Sequence, residues 1–354
     1  MKKVFFGIIA LLSFSACEPD FTVQEDSPPV PIVYVLLDKN DGEHIIRITK
    51  SFQLGGNAFT SAQNPDSSRI EGIEPVILVK DSDGEVEKTI PLTKKTITGK
   101  PEGVFYSGEQ EVYAFQENLS SFKTYELTFD YKGKVVSAET PILQVTKNNW
   151  ETPKSVQQFV GFLRSDQSGD EEFPKFQDIG ISFTTNENIG QYEVYAKLPY
   201  LNVFTDGTES ADTLVYKVAT VAVRKEGESK NADLNSETFI NAIPDFLTNP
   251  ANLAYREVAD SIVLALVAGG EELATYIEVN NPSTGIIQEK PAYTNVSNGL
   301  GIFSTVFQLE RSFEMVNPSL QLLTLYGPLN DYKFCTRRLN AYVQARPHMQ
   351  CPAK

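Results

Sequence analysis

Histidine is nearly missing: the 354-residue chain holds two, His44 and His348. A Ser-His-Asp triad needs a histidine beside a serine elbow of the G-x-S-x-G kind, and no such elbow occurs. The patterns H-E-x-x-H, C-x-x-C and G-x-x-x-x-G-K-[ST] are missing as well, so zincin, zinc-knuckle and P-loop chemistry lack their parts. Basic residues are scarce. Thirty-one Lys and Arg face 46 Asp and Glu, a formal charge of −15. A field of that sign opposes nucleic acid and anionic lipid surfaces, so nucleic-acid binding is excluded. No apolar run reaches the ~18 residues of a membrane-spanning helix.

What is present begins with an address. Lys2 and Lys3 precede an apolar run from Val4 to Leu12, then small residues Ser15 and Ala16, then Cys17. An apolar core of this length marks a signal peptide. A small pair abutting a cysteine is the arrangement of a bacterial lipoprotein signal, with Phe14 where Leu is usual. The expectation is cleavage after residue 16 and acylation of the Cys17 thiol. One acyl chain holds a protein marginally and two hold it firmly. Residues 17–31, rich in proline and acid, read as an extended tether. Glu18 and Asp20 resemble the acidic signal that sends lipoproteins of the Bacteroidota to the outer leaflet of the outer membrane. Surface exposure is the expectation, the periplasmic face its alternative. Loss of Lys2 and Lys3 leaves 29 basic against 46 acidic residues, a formal −17.

With Cys17 taken by lipid, Cys335 and Cys351 remain as an even pair for an oxidising compartment. A bridge would close a loop of about 15 residues, stabilising the fold by ~3 kcal/mol in the chain-entropy model. Free thiols, or a metal pair with His348 as a further ligand, are the alternatives.

From residue 32 to 146 the chain reads as short strands with turns between them. In "TYELTFDY" (124–131) Tyr125, Leu127, Phe129 and Tyr131 alternate with polar residues. Asp41-Gly42 and Asp83-Gly84 sit between strand-like runs, as hairpins require. Seven or so strands over this length predict an immunoglobulin-like β-sandwich. The polar stretch 53–69 is its one long loop, and loops of that length are commonly functional. Residues 140–154 read as the boundary. The second domain, 147–354, is expected to be β-rich (α+β). Strands are predicted at 191–198, 214–225 and 300–309, and a helix over 235–247 capped by Asn235 or Ser236. An apolar strand followed by a short helix is predicted over 261–282.

The segment "PPVPIVYVLLDKNDGEHIIRITKSFQLGGNAFTSAQNPDSS" and the stretch "YTNVSNGLGIFS" (293–304) carry a resemblance. They are similar to the opening and to an "SN-x-x-NGLGIF" signature of uncharacterised outer-membrane lipoproteins of the Bacteroidota, built on a domain of unknown function. The resemblance implies a lipid-anchored protein accompanying a TonB-dependent outer-membrane transporter. It supplies no catalytic residue.

The residues themselves offer little chemistry. His44 reads as a solvent-facing or cross-strand residue and His348 as part of the tail. Trp150 reads as an interdomain packing residue, with a sugar platform as the alternative. "LDKNDGE" (37–43) and "SDQSGDEEF" (165–173) gather oxygen ligands suited to Ca²⁺ but lack EF-hand spacing, so they read as a turn and a solvated loop. Gly299 and Gly301 read as turn glycines rather than a phosphate loop. "DTL" (212–214) and "DSI" (260–262) resemble O-glycan acceptor triplets, at about the frequency chance gives. No catalytic residue, cofactor or metal site is assigned. The expected function is a surface binding protein that takes a glycan or peptide ligand beside a transporter. The alternatives are a glycan hydrolase using two carboxylates and a structural or adhesive protein.

Overall fold

The computed structural model describes residues 28–52, 58–154, 159–164, 166, 174–280 and 293–352. Cys17, the signal 1–16, most of the tether, residues 53–57 of the long loop and all of 165–173 but Asp166 lie outside the described residues.

The molecule is mainly β. Among the described residues, eight strands make the first half: β1 (Pro31–Asp38), β2 (His44–Lys50), β3 (Val76–Lys80), β4 (Val86–Pro91), β5 (Thr93–Ile97), β6 (Gln110–Phe115), β7 (Thr124–Tyr131) and β8 (Lys134–Pro141). Two short helices, α1 (Ala58–Ala62) and α2 (Pro65–Ser68), lie in the β2–β3 connection. The strands pair as β1-β2-β6-β5 in one layer and β4-β3-β7-β8 in the other. That order is the immunoglobulin arrangement, four strands against the C, F and G strands plus one extra edge strand. Alternation drives it. Val33, Val35, Ile46 and Ile48 from one layer meet Ile77, Tyr125, Leu127 and Phe129 from the other in a single core.

The second half contributes β9 (Trp150–Thr152), β10 (Phe159–Val160), β11 (Ile179–Thr184), β12 (Ile189–Phe204), β13 (Glu209–Ala222) and β14 (Ser229–Leu234). Helix α3 (Ser236–Phe246), strands β15 (Leu253–Val258) and β16 (Ser261–Gly270), and helix α4 (Glu271–Asn280) follow. The chain ends with β17 (Leu300–Met315), α5 (Asn317–Leu325), β18 (Phe334–Cys335) and α6 (Ala341–Gln344). Asn235 caps α3, its side chain accepting from the Thr238 amide at 2.8 Å. Pro244 lies inside the last turn of that helix. The predicted strand and helix over 261–282 appear as β16 and α4. Cys335 and Cys351 are joined by a disulfide. The pair closes a loop of 16 residues' separation and ties the tail to β18.

The two halves share one sheet. Strand β17 runs parallel to β1 from Leu300 to Val306, then antiparallel to β16 from Val306 to Glu314. Its first residues enter the first core through Phe303, and its later residues Leu309, Phe313 and Met315 enter the second. Leu143 and Val145 already belong to the second core. The division at residue 146 thus separates chain segments, while the sheet itself is continuous across it.

The stretch 293–304 is the clasp. Asn295 mimics a strand partner for Phe303, accepting its amide at 3.0 Å and donating to its carbonyl at 2.7 Å. Ser297 exchanges backbone hydrogen bonds with Ser137 of β8. Asn298, with φ 54°, donates to the Val135 carbonyl at 2.8 Å. The segment therefore crosses from the edge of one layer to the edge of the other and closes the open side of the sandwich. Gly301 is not a turn glycine but the second residue of β17, at φ 106°, where a Cβ would sit 2.0 Å from the Val33 carbonyl oxygen. Only glycine permits both the conformation and the approach.

Replacing Gly301 by Ala is expected to lower stability by about 3 kcal/mol or more. Gly42→Ala, which meets nothing within 4 Å, should change it by less than about 1 kcal/mol. Urea unfolding of both variants measures the contrast, and equal losses would contradict the clasp.

Candidate functional site

The face of the first layer turned away from the sandwich core carries a cleft. Cross-strand partners Tyr34 and Arg47 floor it. The connection carrying α1 and α2 walls one side, and the 100–111 segment walls the other, enclosing about 340 Å³. That is the lower end of the range for small-molecule sites. The long loop singled out in the sequence thus contributes a wall through Ala62, Pro65, Ser68 and Arg69.

Local chemistry fixes these walls. Asn64 caps α2 by accepting from the Asp66 amide at 3.1 Å. Gln63 reaches across to the carbonyls of Gly103 and Val104 at 2.7 and 2.9 Å, and the Tyr106 amide donates to the Ala62 carbonyl at 3.0 Å. Tyr106 lies over Gly108, where a Cβ would come within 2.2 Å of its hydroxyl. On the floor, Tyr34 shares a hydrogen bond with Tyr276 of α4. That bond, with burial, pushes the Tyr276 hydroxyl up to about 12. Burial likewise raises Tyr113 at the inner end.

The charge of the cleft is opposite to that of the chain. Arg47, Lys50, Arg69 and Lys100 line it against Glu109 and Glu111. Arg69 is already paired, with Asp66 at 3.0 Å and Glu111 at 3.7 Å. Two of the other three cations meet neutral groups. Arg47 donates from Nη2 to the Gln110 side-chain oxygen. Lys100 donates to the Tyr106 carbonyl at 3.1 Å, with its ammonium 5.6 Å from the Phe105 ring centroid. None of the three has a carboxylate within 4 Å among the described residues. Aromatic rings stand open beside them: Phe105 is 56 % exposed and Tyr34 45 %.

A fifth cation shows what a purely structural one looks like. Arg256 is 2 % exposed and fills its donors with Asn202 at 3.0 Å, Asn249 at 2.7 Å, the Tyr332 carbonyl at 2.9 Å and the Thr248 carbonyl. Burial lowers its pKa, and the Tyr200 and Tyr332 rings lie 6.0 Å from its guanidinium carbon. It is an interior fastener.

The residues weighed in the sequence fall elsewhere. His44 is buried rather than solvent-facing. It lies cross-strand from Phe115, with ring centroids 4.8 Å apart, and its Nε2 hydrogen-bonds the Glu117 carbonyl at 2.9 Å. The isoleucines beside it in the strand left its side undecided in the sequence. His348 is exposed in the tail. Trp150 is 4 % exposed and packs near Phe313, so it offers no platform to a sugar. Asp38 accepts from the Asn40 amide at 2.8 Å in an ordinary turn. Among the described residues no group of three or more His, Cys, Asp or Glu side chains is placed to hold a metal.

A second, open cleft of about 1010 Å³ lies between α4 and strands β12 and β13 and holds Glu193, Glu271 and Glu278. Glu193 is partly buried, which pushes its carboxyl up, but hydrogen bonds from Lys217 and Tyr195 outweigh this and hold it low. A carboxyl held low is ionised at neutral pH and is a poor proton donor.

No family model and no curated protein matches the chain. Among solved structures it is similar to the C-terminal globular domain of an oligosaccharyltransferase from Pyrococcus abyssi, at 9% identity and a TM-score of 0.22. The match covers 66% of this chain and 43% of that one, so the chain spans less than half of that structure's length. A TM-score that low carries no argument about site or activity.

The cations divide by what they bond, and stability should divide with them. Arg256→Leu strands four acceptors in the interior and is expected to cost about 3 kcal/mol. Arg47→Gln gives up one half-exposed bond and should cost under about 1 kcal/mol. Chemical denaturation of the two variants reads the difference. A large loss for Arg47→Gln would make that residue structural too.

Proposed function

We propose that the protein is a lipid-anchored binding protein of the outer membrane, held by Cys17 and facing the cell surface. It takes a ligand in the cleft on the outer face of its immunoglobulin-like sandwich and serves a TonB-dependent transporter. The observation that carries the binding role is the cleft itself: a small, walled site with open aromatic rings and three cations, Arg47, Lys50 and Lys100, that no carboxylate pairs among the described residues. The anchor and the transporter rest on the signal ending at Cys17 and on the resemblance of residues 293–304 to surface lipoproteins. The segments that wall the cleft also expose the apolar side chains Phe59, at 66 %, and Val104, at 52 %, which suits contact with a larger body.

Native extraction of the outer membrane tests this reading. The wild-type chain is expected to come out with a β-barrel transporter in near-equal amount, and Cys17→Ala to appear in the soluble fraction without it. A wild-type chain that extracts alone would overturn the transporter role. A Cys17→Ala chain that stays membrane-bound would overturn the anchor.

A further inference from the structure

We infer that the cleft recognises an acidic saccharide: an anionic group on a pyranose-sized ring, the anion held by Arg47, Lys50 and Lys100 and the ring laid against Phe105 or Tyr34. The inference rests on the binding role proposed above and adds the ligand's chemistry.

The charge comes first. A half-buried cation without a counter-charge is costly to maintain, because burial strips water that a carbonyl or amide replaces only in part. Among the described residues three such cations converge on one cleft, in a chain whose formal charge is −15. An arriving carboxylate or sulfate supplies the missing partner. Arg47 suits it best, since its planar fork can hold two oxygens of one carboxylate at once. Gln110 holds that fork from the neighbouring strand. Lys100 is kept in place by the Tyr106 carbonyl at 3.1 Å.

The body of the ligand follows from the walls. Phe105 and Tyr34 present open rings beside the cations, and Gln110, Glu109, Ser68 and Thr49 offer side-chain hydrogen bonds around them. A sugar ring has one apolar face and a rim of hydroxyls, which matches rings and polar side chains together.

Calorimetric titration of the full-length protein in detergent tests this with three probes: digalacturonate, its dimethyl ester and phenylacetate. The acid should bind, the ester about tenfold or more weaker, the loss corresponding to one charge-assisted hydrogen bond. Binding of the acid should weaken as ionic strength rises and the screening length falls from about 30 Å to about 10 Å. Arg47→Gln and Lys100→Gln should each weaken the acid about tenfold and leave the ester unchanged. Thermal unfolding confirms that each variant is folded, and the acid-to-ester comparison on the wild-type chain needs no variant. Equal binding of acid and ester overturns the anion while leaving a sugar-binding cleft, and with it the proposed function. Phenylacetate binding as tightly as the disaccharide overturns the saccharide. No binding of any probe overturns the inference, and the transporter co-extraction then judges the proposed function separately.

Discussion

Strand β17 is the constraint on which the rest of the molecule depends. Val306 is its handover point, pairing with Asp38 of β1 on one side and Gly269 of β16 on the other. Before it the strand completes the immunoglobulin-like sandwich; beyond it the strand is the spine of the second half. The buried side chains Phe303, Leu309, Phe313 and Met315 contribute roughly 6–12 kcal/mol together at ~1.5–3 kcal/mol each. A domain's whole net stability is about 5–15 kcal/mol. Neither half can lose this strand and stay folded on such terms. The arrangement is also slow to assemble. Asn40 donates to the Gln308 carbonyl across 268 residues, and pairings of that separation form late.

How much of this was legible in the sequence follows from the range of each interaction. Alternation is local, so β1, β2, β3, β7 and β8 were readable, and so were the Asn235 cap and the break between β16 and α4. The immunoglobulin order followed from strand count and turn spacing. The parallel pairing of β1 with β17 left no trace, because two strands 260-odd residues apart carry no shared local signal. Gly301 shows the same limit. Read locally, a glycine pair near Asn298 is a turn. Its true role depends on a carbonyl at Val33, which only the fold brings beside it. The cleft was half visible: the long loop was recognised as a functional candidate, but Arg47, Lys50 and Lys100 look like any solvated cations until β2, β6 and the 100–111 segment gather them.

The cleft and the acidity of the chain are compatible because they act at different ranges. At physiological salt the screening length is about 8 Å, so acids elsewhere on the surface barely reach an anion inside the cleft. Within it the nearest groups decide. There Glu111 is already shared between Arg69 at 3.7 Å and Lys94 at 3.0 Å, which leaves it little field of its own. A net negative surface then serves solubility while one walled face keeps the opposite sign.

Chain order places the cleft near its proposed anchor. Its floor begins at Ile32 and Tyr34, in the first strand after the tether. Fifteen residues separate Cys17 from Ile32, and a fully extended chain of that length spans at most about 50 Å. An acylated Cys17 would therefore keep the cleft within reach of a barrel's mouth however the tether is arranged. The same strand β1 that would take any pull from the anchor is gripped on both sides, by β2 and by β17. In a sandwich whose first strand lay at a free edge, tension on the tether would peel that strand and open the site. Here β17 makes β1 an interior strand, so the element nearest the proposed anchor is also among the hardest to displace. That is a physical reason for a tethered domain to borrow a strand from a distant part of its own chain.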